Sequence, residues 1–339
     1  MPEGPEVRRY ALALQEAVEG EEIVALSART QGAKTWLLEH GAGLVGRRIE
    51  RIRSHGKHLY GAIEGGVGFH SHLMMWGRWQ LFGPDENPDS DRRERARVVV
   101  PRATAILMSA PVFEMFEGDP YEVVENLATL GPDVLPYEGA FDAREFERRL
   151  GLPENLGREI GAVLLDQRVC AGIGNYFRAD VLWTCQINPW TRVEDLSSEA
   201  LACLSDGIPL LARRSLAEPG VTVAPDLRAR LLDDPSLHYN PERPEWAARH
   251  AVFRRTNLPC LRCGDPVKQK FQTVYQTPDG DEEEAPSPAA QRAPGSPASG
   301  GGRSDKARLI YFCPNCQNVN TDEIPVAKMT RRKRKTAHT

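Results

Sequence analysis

The chain reads as an α+β protein, and three observations predict this. A stretch of short β-rich runs extends from about residue 22 to 116, the pattern turns helical from about residue 120, and two Cys-x-x-Cys pairs stand near the C-terminal end. At 339 residues the chain is long enough for two domains, each burying its own core.

The first element is a helix. Pro5 suits a first helical position and Glu6 the positive end of the helix dipole. Val7, Tyr10, Ala11, Leu14 and Val18 share one face before Gly20 stops it. Short runs follow at Ile23–Leu26, His58–Tyr60, Trp79–Phe82, Val98–Val100 and Ala105–Met108, with a Gly65-Gly66 turn and an exposed loop at Pro84–Ser90. Strands this short, punctuated by Gly and Pro, predict a sandwich or barrel. Helical runs take over at Glu122–Leu127, Arg144–Leu150 and Ile160–Leu165 and continue to about Arg255, with the domain boundary near residues 117 to 140.

Cys260, Cys263, Cys313 and Cys316 supply four thiolates, enough for one closed, structural zinc ion. The pairs are 49 residues apart, but much of that span is a Pro, Ser, Gly and acid-rich segment, residues 277–304, expected to be disordered. What remains, Val267–Tyr275 and Ala307–Phe312, reads as a zinc-tethered hairpin with an insertion at its tip. A redox role for the pairs lacks a thioredoxin-like βαβ context. The single cysteines Cys170, Cys185 and Cys203 are expected as core residues of a protein in a reducing compartment.

Chemistry is concentrated at the start, Met1-Pro2-Glu3-Gly4-Pro5-Glu6. Once Met1 is removed, Pro2 presents a secondary amine, and an α-amino group titrates near about 8, well below the roughly 10.4 of lysine. Such an amine condenses with a sugar aldehyde to a cationic Schiff base, an electron sink for elimination, and Glu3 stands ready to move protons. The alternative is a plain helix start. A second candidate is the glycine turn Gly172-Ile173-Gly174 with Asn175 opening a helix, where backbone amides would suit a phosphate or would simply cap structure. Arg308, just before the second knuckle, is either an exposed strand arginine or a guanidinium held against phosphate.

The net charge of −4 does not advertise a nucleic-acid binder, but the charge is segregated into an acidic block at 278–284 and a basic run at 331–335. No apolar run approaches a membrane span, and the start resembles no signal peptide, so the expected location is cytoplasmic.

These signals converge. The N-terminal Met-Pro-Glu-Gly-Pro-Glu-Val, Gly56-Lys57-His58-Leu59, His72-Leu73-Met74-Met75-Trp76-Gly77, Leu130-Gly131-Pro132-Asp133, the run from Leu164 to Asn175, and Cys313-Pro314-Asn315-Cys316-Gln317 resemble the formamidopyrimidine-DNA glycosylase and endonuclease VIII family, in its order and over nearly the whole chain. The resemblance implies an N-terminal β-sandwich (residues 1–120), a helix-two-turns-helix domain (121–256), a zinc finger hairpin (257–321) and, outside it, a basic tail (322–339). It implies that Pro2 attacks C1′ of a damaged nucleotide, Glu3 acts as general acid/base and Glu6 helps organise the opened sugar. Lys57, Asn175 and Arg308 would grip phosphates. Met74, Met75 and Trp76 would fill the void left by an everted base, against a reading as plain core. The expected partner is double-stranded DNA with damaged bases or abasic sites, bound by a monomer close to chromosomal DNA.

Gly4, where the formamidopyrimidine branch usually has leucine, looks like endonuclease VIII. Ser109–Met115 also resembles that branch and lacks the Asp-Pro-Arg-Arg-Phe-Gly stretch of the oxoguanine enzymes. Oxidised pyrimidines are therefore the expected substrates, with oxidised purines as the alternative. The competing class is a zinc-hairpin binder of damaged DNA that does not cut.

Overall fold

The computed structural model describes residues 2–86, 88–274 and 307–327. The chain starts with α1 (Gly4–Val18), which carries proline in its first turn and buries Val7, Ala11, Leu14 and Val18. Eight strands follow: β1 (Ala25–Ala28), β2 (Ile49–His55), β3 (His58–Ile63), β4 (Val67–His72), β5 (Arg78–Phe82), β6 (Glu94–Val100), β7 (Ala103–Met108) and β8 (Val112–Glu117). They form two antiparallel four-stranded sheets, ordered β1-β6-β7-β5 and β2-β3-β4-β8. In β6, buried and half-buried residues alternate strictly, as one covered face requires. The buried face of α1 shares one core with Ile52, Leu59, Phe69, Val98, Leu107 and Phe113, so the helix and both sheets form a single apolar unit, a β-sandwich.

One element in this region departs from the sequence expectation. Between β1 and β2 the chain forms α2 (Gln31–His40) rather than β-rich runs. Its apolar residues Ala33, Trp36 and Leu37 follow three- and four-residue spacing and pack on the sandwich core. So brief a stripe is easily lost among short strands.

The helical region comprises α3 (Pro120–Val123), α4 (Ala143–Leu150), α5 (Pro153–Leu156), α6 (Ile160–Val163), α7 (Asn175–Thr184), α8 (Ser198–Ala217), α9 (Pro225–Asp233) and α10 (Pro244–Ala247). The expected helix over Glu122–Leu127 is a single turn, capped by the Asp119 side chain and finished by Val123. By contrast α7 buries every residue from Tyr176 to Trp183, which makes it the central helix of this domain.

The strands β9 (Lys268–Thr273) and β10 (Ala307–Phe312) pair antiparallel with Arg308 opposite Gln272, in the arms expected of the hairpin. Cys260, Val267, Ile310 and Cys313 belong to the same core as α7 and α8, so the hairpin is rooted in the helical domain. Tyr275, the acidic block, the insertion 277–304 and the basic run 331–335 lie outside the described residues.

The expectation for the single cysteines needs correcting. Cys170 is buried as anticipated, but Cys185 and Cys203 form a disulfide. Cys185 caps the C-terminal end of α7 and Cys203 lies in the first turns of α8. Packing of the two helices brings their Cα atoms to 5.7 Å, within ordinary bonding range. These two residues therefore give no support to a reducing compartment.

Candidate active site

The sandwich and the helical domain meet through glycines. The two-residue turn Gly56-Lys57 joins β2 to β3, and a Cβ on Gly56 would lie 2.8 Å from Ala171 Cβ and from Gly172 N. The missing side chain lets the hairpin tip abut the loop before α7, and Lys57 Nζ then donates to Ile173 O at 2.6 Å. At the chain start, Gly4 N donates to Gly172 O at 2.9 Å, and a Cβ on Gly4 would meet Gly172 Cα at 2.8 Å. The N-terminus is thereby docked on the helical domain.

This docking carries Glu3 into the N-terminus of α7. Gly174 N donates to Glu3 Oε2 at 2.8 Å, Tyr176 N to Oε1 at 3.0 Å and Phe177 N to Oε2 at 3.4 Å. The sequence reading left these amides open between a phosphate and a plain structural cap; in the structure their anion is the chain's own Glu3, which satisfies orphan donors and meets the positive end of the helix dipole. Asn175 belongs to the same turn but points elsewhere. Its Oδ1 accepts from Arg178 Nε at 3.2 Å and Nη2 at 2.9 Å, so its NH₂ group is the end left to donate.

Glu3 is 1% exposed, and burial raises its pKa from 4.5 to about 8. Lys57 and the two amides of Gly174 and Tyr176 pull it back down, while Glu6 adds to the rise. Burial in turn lowers the Lys57 ammonium, with Glu3 opposing. A carboxyl poised so close to neutral pH can both give and take a proton. Glu6 is fixed differently. It accepts from Glu3 N at 2.9 Å, and Tyr176 Oη donates to both its oxygens at 2.9 Å. Ser215 Oγ stands 3.1 Å from the same tyrosine hydroxyl.

A cleft of about 2000 Å³ brings Pro2, Glu3, Glu6, Lys57, Asn175 and Arg308 onto one surface. Of the apolar loop, Met75 and Trp76 line it, whereas Met74 does not. All three are exposed, at 50% for Met74, 51% for Met75 and 76% for Trp76, which excludes the plain core reading.

Sequence reasoning missed Tyr176, Ser215, Arg178 and Gln317. Arg178 is wholly buried, and besides Asn175 it donates to Gly161 O at 2.7 Å, Gln272 Oε1 at 3.2 Å and Leu309 O at 3.1 Å. It thereby ties α6, α7 and both hairpin strands together. An arginine inside the apolar run Tyr176–Trp183 was the one signal that could have flagged it.

At the base of the hairpin, ligand atoms of Cys260, Cys263, Cys313 and Cys316 lie within 4.8 Å of one another. Cys260 and Cys316 are 3.8 Å apart at sulfur, and Cys263 and Cys313 3.5 Å. A tetrahedral site with metal–sulfur bonds of about 2.3 Å has edges of roughly 3.8 Å, so the four thiols fit one. Trp183 Nε1 donates to Cys260 Sγ at 3.3 Å, and Gln317 links the second knuckle to the helical domain through Cys313 N at 2.8 Å and Ile187 O at 2.9 Å.

Residues 1–108 match the N-terminal domain of formamidopyrimidine-DNA glycosylase, and residues 130–224 match its H2TH domain. An endonuclease 8 of Salmonella arizonae is 30% identical over 79% of this chain and 94% of its own length. An endonuclease 8 of Pectobacterium atrosepticum is 31% identical over 94% of this chain and all of its own. The structure of Lactococcus lactis Fpg in complex with abasic-site DNA aligns with TM-score 0.64 at 20% identity, over 94% of this chain and 100% of that one, and so shares the fold.

Sandwich, helical domain and cysteine hairpin around one cleft thus define a DNA glycosylase and abasic-site lyase. The chain belongs to the formamidopyrimidine-DNA glycosylase and endonuclease VIII family. No helix among the described residues is long and apolar enough to cross a membrane.

Proposed function

We propose that this enzyme excises oxidised pyrimidines from double-stranded DNA through the amine of Pro2 and then cuts the strand. The observation that carries the reading is the pairing, on one cleft wall, of Pro2 with a buried carboxyl raised to about 8. With Met1 removed, the Pro2 nitrogen lone pair forms a bond to C1′ as the glycosidic electrons leave with the base. Glu3 supplies the proton that opens the sugar, leaving a protonated imine. The imine acidifies C2′, loss of that proton expels the 3′ phosphate, and a second elimination expels the 5′ phosphate. Glu6, held by Tyr176, keeps the opened sugar in line. Lys57, the Asn175 NH₂ group and Arg308 hold flanking phosphates, and the exposed Met74–Trp76 turn fills the space of the everted base. The four thiols hold one zinc ion, whose contribution is to keep the hairpin folded.

The preference for pyrimidines rests on Gly4 and on the Ser109–Met115 segment. Gly4 lies so close to Gly172 that the leucine usual in the other branch would have to displace the loop before α7. The test uses matched duplexes carrying thymine glycol, dihydrouracil, 8-oxoguanine or an abasic site, with borohydride added. Cross-linking to abasic DNA, lost in Pro2→Gly, and faster cleavage of the two pyrimidine lesions are expected. Undiminished cross-linking by Pro2→Gly would overturn the nucleophile, and faster cleavage of 8-oxoguanine would overturn the substrate class.

A further inference from the structure

The chain between α8 and the first cysteine knuckle contributes a cationic aromatic stretch to the lining of the same cleft as Pro2, from Tyr239, Trp246, Arg249, Phe253 and Arg254. The Arg249 guanidinium lies 5.5 Å and that of Arg254 5.0 Å from the centre of the Trp246 ring. Arg254 also lies 5.5 Å from the Phe253 ring, and it holds a backbone φ of +62°, rarely adopted by a residue with a long side chain.

Arg249 is the informative member. A Cβ on Gly220 would lie 3.6 Å from Glu6 Oε1 and 3.7 Å from Arg249 Nη1, so the guanidinium comes up beside the catalytic carboxylate across a bare glycine. Among the described residues no hydrogen bond or ion pair engages that guanidinium, although it is half-buried. Arg249 lines the cleft, and its guanidinium is a planar fork of donors.

Resting on the Schiff-base reading above, we infer that Arg249, backed by Trp246 and Arg254, receives the everted base and recognises the carbonyl edge of a ring-oxidised pyrimidine. The base must lie next to C1′, hence next to Pro2 and Glu6, and Arg249 lies beside Glu6 in the same cleft. Guanidinium is donor-only, so it matches an edge of carbonyl acceptors. An 8-oxoguanine carries a hydrogen on N7 and turns a donor toward any fork set to take O6 and N7 together. Ring-saturated pyrimidines keep both carbonyls, and eversion costs less for a base that stacks poorly.

The experiment measures single-turnover release of thymine glycol and cleavage of a preformed abasic site, with full-length protein and Arg249→Leu, Arg249→Lys and Trp246→Phe variants. Arg249→Leu is expected to slow thymine glycol release by about tenfold or more, the scale of a lost bidentate contact, while cleavage of the base-free site and its salt dependence hold. Arg249→Lys keeps the charge without the fork and stays slow; Trp246→Phe has a smaller loss in the same direction. Equal loss on both substrates, full rescue by lysine, or no loss on thymine glycol would each overturn the base-receiving role. Failure of the unaltered enzyme to cross-link abasic DNA would instead sink the underlying Schiff-base reading.

Discussion

The two walls of the cleft are built on different physics. On the sandwich side, the proposed reactive groups Pro2 and Glu3 stand immediately before α1, and Glu3, its N-cap, is buried and held by uncharged backbone donors. On the helical and hairpin side, Arg308 is exposed and Asn175 half-exposed, offering polar groups to a solvated ligand. On the proposed reading, the contrast teaches that chemistry depends on burial, which moves a carboxyl to about 8, while grip depends on charges that salt will screen. The division is not along domain lines, however. The donors that position Glu3 come from the opposite domain, and Lys57 reaches across from the sandwich to Ile173.

Gly174 tests that crossing most severely. It lies in the helical domain, yet a Cβ there would stand 2.3 Å from the Glu3 carboxyl carbon. Gly174→Ala must displace the acid, and misplacement on the scale of an ångström costs roughly 100-fold in rate. The expected outcome is a loss of abasic-site cleavage with unchanged affinity for a duplex carrying a non-cleavable abasic analogue. Affinity falling in step with rate would place Gly174 in the grip instead.

A smaller effect comes from pH. A carboxyl raised to about 8 keeps its proton through the neutral range and loses it as pH rises through that value. As a proton donor in base release it fails above about 8, whereas as a base in the elimination it gains. The Pro2 amine must be unprotonated for both reactions, so its titration cancels in their ratio. The ratio of lesion release to abasic-site cleavage is expected to fall as pH rises through about 8, and Glu3→Gln should abolish the trend. A ratio flat with pH in the unaltered enzyme would count against Glu3 as the shared group.

What the sequence disclosed follows from how local each signal is. The α1 stripe, the Val98–Val100 run and the cysteine pairs are written in neighbouring residues, and each is found where the pattern places it. The occupant of the α7 amides stayed open because a glycine turn shows that an anion fits but not which one. Glu3 is 171 residues away from Gly174, and only folding reveals it. Arg178 and Tyr176 were hidden for the same reason: their partners lie on α6, both hairpin strands and α1. The disulfide between Cys185 and Cys203 depends on how two helices pack, which their spacing does not record.

The mildest test concerns Arg308, on the grip side. It stands at the cleft in β10, opposite Gln272, whose amide is locked between Glu159 at 2.8 Å and Pro189 O at 2.8 Å. The strand beneath the guanidinium is therefore anchored, and replacing the side chain should leave the hairpin intact. Each phosphate contact contributes about one unit to the dependence of log affinity on log salt. Arg308→Ala is expected to bind abasic DNA more weakly at low salt, with a slope shallower by about one, and to cut bound DNA at nearly the original rate. An unchanged slope would remove its phosphate role. A lost single-turnover rate with unchanged slope would move Arg308 to the chemical side of the cleft and erase the division between the walls.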